Sequence, residues 1–217
     1  LSKGSRLNYF LIQDNSADSV FYSRKHCANN GGKINWRTAE FGSSFSKSTI
    51  ETSLTGRESE NDCTSIFYSN GVQHFDLSTA CIHGEKNTVS NTMAYGALGG
   101  SSTGVFKGGI SILSNATGAV SDLREKALLL SKQSKADAVP SLDINNNEVT
   151  AGHGAAIGHV DEEQLFYLQS RGLDEKTAMQ TLVRGFFNPL LAASESAAFK
   201  EIATELLEKK LAENNGF

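Results

Sequence analysis

A chain of 217 residues is long enough for one large domain, or for one domain with a small appendage. Its 39% hydrophobic and 20% charged residues read as globular, and a net charge of −4 without any Lys/Arg cluster argues against a nucleic-acid binder. There is no run of about 18 apolar residues for a transmembrane helix, and no signal-peptide pattern. The chain opens at Leu1 with the strand-like "LSKGSRLNYF", which reads as a fragment or processed form lacking an N-terminal region. Three cysteines, Cys27, Cys63 and Cys81, with no CxxC pair, suit packing in a reducing, cytoplasmic compartment better than a disulfide framework.

The first three quarters read as strands. In order they are "LNYFLIQ", "SVFYSRKHCA", "KINWRTAEF", "STIETSLTG", "CTSIFYSNG", "QHFDLSTACIH", "TVSNTMAYGAL", "GVFKGGISIL", "KALLLSK", "AVPSLDI" and "EVTAGHGAAIG". Their starts recur about every 12–15 residues, as short strands with brief turns require. No helical pattern separates them, so a parallel sheet with helical crossovers is excluded. A sandwich, a barrel and a β-helix remain open. Tight Asn-Gly turns are scarce, which counts against a sandwich. Small residues recur throughout "SNTMAYGALGGSSTGVFKGGISILSNATGAVS", as the close stacking of β-helix coils requires.

From Asp161 the period changes from 2 to 3.6. Asp161 and Gln164 resemble a capping box opening a helix that ends near Gly172. A second helix starts at Asp174 and buries Ala178, Leu182, Val183, Phe186 and Phe187, with Pro189 expected to break or kink it. A third spans Ser194 to Glu213, with Phe199, Ile202, Ala203, Leu206, Leu207 and Leu211 on its apolar side, before a polar tail. The reading is two domains, a β body over 1–160 and a helical domain over 161–217.

Signatures of chemistry are sparse. The chain lacks a P-loop, GxGxxG, HExxH and GxSxG, and "GALGGSSTGVFKGG" has Lys107 but no following Ser/Thr or helix. Cys81 and His83 share a strand face, as do His74 and Asp76, where Asp76 is placed to orient the imidazole. His26 and Cys27 face opposite ways. No local group supplies three metal ligands. Glu58, Glu60 and Asp62 read as a solvated turn, and Asp161, Glu162 and Glu163 as a first helical turn complementing the dipole. A carbohydrate-active β-helix enzyme would need converging carboxylates, and Asp122 and Asp143 offer no such pair. His153 is set apart: between Gly152 and Gly154 nothing bulky shields it, and a neutral imidazole can act as a ligand or proton carrier.

The stretch "PSLDINNNEVTAGHGAAIGHVDEEQLFYLQSRGLDEKTA" closely resembles the SufB/SufD family of iron–sulfur cluster assembly proteins, supported in order by "HFDLSTACIHGEKNTVS", "GVFKGGISI" and "ALLLS". The resemblance covers essentially the whole chain. It implies a mainly β fold, a right-handed parallel β-helix followed by a small helical domain. It also implies a scaffold rather than an enzyme. Family members pair through their β-helices, SufB with SufD, and the helical ends dock SufC ATPase subunits, with nascent clusters built at the junction.

Branch-specific residues point to a SufD-like chain. Where the SufB branch has a cysteine after the strand proline, this sequence has Ile144, and the SufB glutamate after the motif histidine is Gly154. A cysteine found two residues before that histidine in some SufD proteins is Ala151 here. His153 is the assembly residue that carries over, as an inter-subunit ligand or a proton- or sulfur-handling group. Asp161, Gln164, Phe166, Tyr167 and Arg171 mark the expected SufC contact. No cofactor is expected to stay on this chain alone; the cluster would be transient at the inter-subunit site, with flavin proposed for the complex. A stand-alone homodimer pairing His153 with its symmetry mate is the alternative assembly. No nucleic-acid or membrane partner is expected.

Overall fold

The computed structural model describes residues 1–213; the tail that the sequence places after the third helix lies largely outside them. Twelve strands precede three helices. They are β1 (Arg6–Gln13), β2 (Val20–Asn29), β3 (Lys33–Glu40), β4 (Phe45–Leu54), β5 (Glu60–Ser69), β6 (His74–His83), β7 (Val89–Leu98), β8 (Thr103–Ile112), β9 (Val120–Leu129), β10 (Lys135–Ala138), β11 (Ser141–Ile144) and β12 (Thr150–His159). The helices are α1 (Glu162–Ser170), α2 (Glu175–Ala192) and α3 (Ala197–Glu213).

Every strand pairing is parallel, and consecutive strands alternate between two sheets. One sheet runs β1-β3-β5-β7-β9-β12, and the facing one β10-β8-β6-β4-β2 with β11 also on β8. In the first sheet Arg6, Lys33, Glu60, Val89, Val120 and Thr150 stack in register, a step of 27 to 31 residues per coil. The spacing read from sequence is therefore half a coil. This is the parallel β-helix that the family resemblance implies. A parallel pair needs a long return path between its strands, and here the other sheet provides it in place of a helix.

The interior is filled by alternate residues of each strand. Phe67 of β5 stacks on Phe75 of β6 with ring centroids 5.2 Å apart and lies at the same distance from Phe106 of β8. Gly96 and Gly104 make room for it, since a Cβ on either would press on the Phe67 ring. The turn before β5 is shorter than expected: Glu60 and Asp62 already lie in the strand, where Lys33 and Arg37 of the coil below pair with them at 2.8 and 2.7 Å. β9 starts at Val120, ahead of the expected "KALLLSK", and "AVPSLDI" splits into β10 and β11 around Val139 and Pro140, because proline has no N–H for the ladder.

The helices cover part of the outer face of the first sheet. One apolar cluster joins Ala39, Phe41, Ile66, Tyr68 and Ala97 of the β body to Met179, Val183, Phe187, Phe199, Ala203 and Leu207 of α2 and α3. Phe10 meets Phe199, and Tyr95 meets Phe186. Arg184 and Glu208 form a bidentate pair at 2.6 and 2.7 Å that ties α2 to α3. Pro189 does not end α2: the helix continues to Ala192, held by buried Leu190 and Leu191. Of the expected apolar positions, Leu182, Phe186 and Leu206 are only half-buried and Ile202 is exposed. Among the described residues no helix is long and apolar enough to cross a membrane.

Phe67→Ala would leave a void between coils that neighbouring glycines cannot fill. We expect a loss of roughly 3–5 kcal/mol, read as a lower urea midpoint.

Candidate functional site

The last coil ends in an open cross-section, here called the mouth. β12 lies on β9 with Ala151 over Ser121, His153 over Leu123, Ala155 over Glu125 and Ile157 over Ala127. Residues in register point the same way. The four β9 residues are buried in the interior, so their β12 partners face inward too, but no coil lies above them. His153 and Ala155 are exposed, as is Ile157 at 41%. Across the mouth Leu142 and Ile144, stacked on buried Ile110 and Ile112, are 37% and 40% exposed. The far edge of β12 is unpaired over ten residues among the described strands. Gly154 and Gly158 have open space beside them.

His153 stands at this mouth with no side-chain hydrogen bond among the described residues. The other sequence candidates are engaged elsewhere. Cys81 and His83 do share a face, inside the β-helix. Thr88 gives its hydroxyl proton to the Glu85 carbonyl, so His83 Nδ1–H donates to Thr88 Oγ1 at 2.8 Å and Nε2 accepts from Ser90 at 2.9 Å. Burial lowers the His83 pKa to about 4, keeping it neutral. Burial likewise pushes the Cys63 and Cys81 thiols up to about 12. Asp76 does not orient His74: it is held by Lys107 at 3.0 Å and Lys47 at 3.4 Å, while His74 Nδ1 meets Thr103 Oγ1 at 2.6 Å. Asp122 is paired with Arg124. Among the described residues no group of three or more His, Cys, Asp or Glu could hold a metal.

Of the helical candidates, Asp161 caps α1, its Oδ1 accepting from the backbone N–H of Glu163 at 2.9 Å and Gln164 at 3.3 Å. Asp161, Gln164 and Tyr167 line one groove of about 540 Å³ with Leu168, Thr181 and Leu182. The Arg171 guanidinium lies 5.2 Å from the Tyr167 ring centroid. Phe166 is exposed, and α1 buries no residue at all. A second cleft of about 520 Å³ separates the last coil from α1 and α2, lined by Lys132, His159, Glu162, Leu165, Glu175 and Met179 among others. For a flavin it offers no Phe, Tyr or Trp ring to stack on, and Glu162 and Glu175 set two carboxylates against the one lysine, Lys132.

One polar residue of the mouth escaped sequence reading. Glu125 of β9 is 2% exposed, and among the described residues its buried Oε2 has no hydrogen-bond partner. Burial pushes its carboxyl up to about 7. Its place in the alternation Ser121, Leu123, Glu125, Ala127 is the signal that assigns it to the interior.

The description "SUF system FeS cluster assembly, SufBD core domain" belongs to a family that matches residues 1–186. This chain belongs to the SufBD family. Over 207 residues it is 28% identical to the iron–sulfur cluster assembly protein SufD of Bacillus subtilis, covering 94% of this chain and 47% of that protein. A SufBD family protein of Mycobacterium tuberculosis is 31% identical over 188 residues, 86% of this chain and 22% of the relative. A chloroplastic SufBD family protein of Arabidopsis thaliana is 28% identical over 193 residues, 85% and 35% respectively. The chain thus spans between about a fifth and a half of these relatives.

The two buried titrating groups oppose each other. Glu125 holds its proton more tightly folded than unfolded, so its contribution to stability is lost as pH rises from 4.5 to about 7. His83 costs stability as pH falls from 6.5 to about 4. Glu125→Gln should therefore raise the thermal midpoint, relative to the parent, more at pH 8 than at pH 5. A constant difference across that range would show that the carboxyl does not titrate there.

Proposed function

We propose that this chain is a SufD-like scaffold of iron–sulfur cluster assembly, not itself an enzyme, which pairs through the mouth with a SufB-like subunit and docks a SufC-like ATPase on α1 and α2. The observation that carries the reading is the uncapped end. A β-helix needs a terminal cap with a polar outer face, because its last coil otherwise exposes core residues. Here Leu142, Ile144 and Ile157 present that core to solvent beside an unpaired ten-residue strand edge. A partner strand and its coil supply what is missing.

One histidine fits this division of labour. His153 brings one imidazole to the mouth, and a lone imidazole cannot hold a cluster. The thiolate chemistry falls to the partner, as ATP chemistry falls to the ATPase. The groove at Gln164 and Tyr167 supports the second contact: α1 fully buries none of its residues, and it leaves the Phe166 and Tyr167 rings exposed next to the acidic Asp161 and Glu163.

The test is to purify the chain with SufB-like and SufC-like partners and weigh the complexes. Ile157→Asp places an unpaired charge in the buried junction and should weaken pairing at least 100-fold, on the order of 3 kcal/mol, while leaving ATPase binding unchanged. Tyr167→Ala should do the reverse. His153→Ala should keep both contacts and lower the yield of assembled cluster. An unchanged yield leaves His153 no role in assembly, and a chain that forms only a homodimer replaces the SufB-like partner with a second copy.

A further inference from the structure

Glu125 has no structural reason to be a carboxylate. Below it in the same interior column is Ala94, above it Ala155, and across the β-helix Gly108, whose missing Cβ would stand 2.7 Å from Glu125 Oε1. Its neighbours Leu123 and Ala127 are apolar and buried. A buried oxygen without a partner costs stability, and such a cost at one position points to function. Glu40, among the described residues the other interior glutamate with an unpartnered oxygen, accepts a hydrogen bond from Ser46 at 2.6 Å and lies several coils from the mouth. Glu125 lies one coil beneath it. Only the methyl of Ala155 stands above it in the first sheet, and in the facing sheet the ladder over β8 is interrupted between Ala138 and Ser141. His153 faces the same interior from the next strand, one column along.

We infer that Glu125 is a second functional group of the mouth, an oxygen donor that works with His153 to hold a divalent first-row metal ion delivered there. The inference rests on the proposed assembly role. Imidazole nitrogen and carboxylate oxygen together suit such an ion, and in the column of Glu125 only Ala155 lies between the carboxyl and the open end. Two donors make half a site, which the paired subunit completes.

The experiment compares the parent with Glu125→Gln and Glu125→Asp, each in complex with the SufB-like and SufC-like partners, using ferrous iron under argon as the probe. Mass reports pairing, equilibrium dialysis reports bound iron, and the thermal midpoint of the chain reports folding. We expect Glu125→Gln to be at least as stable as the parent, to pair normally and to bind ferrous iron at least tenfold more weakly, with Glu125→Asp recovering most of the binding. Equal iron binding by parent and Glu125→Gln in complexes of correct mass overturns the inference, and so does a Glu125→Gln chain that fails to fold, since the carboxyl is then structural. A parent that does not pair at all sinks the assembly reading, visibly in the mass, and with it the site Glu125 would serve.

Discussion

In-register parallel stacking governs this molecule. Each residue of a coil lies on its equivalent one coil below, so a position's environment is set by a column rather than by its neighbours in sequence. The column Trp36, Cys63, Thr92, Leu123, His153 shows the effect: inward-facing residues of one sheet, buried up to Leu123 and exposed at the last. His153 is exposed because nothing stacks on it, not because its strand turns outward. The same rule leaves Leu142, Ile144 and Ile157 uncovered at the same end.

Stacking also lets one residue be compensated by another far away in sequence. Phe67 has its volume because Gly96 and Gly104 give up theirs. Asp76 is neutralised by lysines from the coils on either side. The helices extend the logic outward, placing Phe187, Phe199 and Leu207 on the sheet's outer apolar columns so that helices and sheet share one core.

This explains which parts the sequence made legible. Strand alternation, the change of period at Asp161 and the cap at that residue are local and could be read directly. The choice of a β-helix over a sandwich or barrel came only with the family resemblance, since a degenerate coil of 27 to 31 residues leaves little periodic signal. His74 and Asp76 look like a pair on one strand, yet each finds its partner in an adjacent coil. Pro189 looks like a helix end, yet tertiary packing of Leu190 and Leu191 carries the last turn. Glu125 could be assigned to the interior by parity, but its missing partner and the space left by Gly108 belong to other strands.

The break at Pro140 limits what the open end can join. β10 and β11 present only four residues each, separated by Val139 and by Pro140, which cannot donate to a ladder, whereas β12 offers ten. A further copy added coil upon coil would need both sheets to continue, and only the first offers an unbroken edge. Growth into an open-ended fibre is thereby disfavoured at this end.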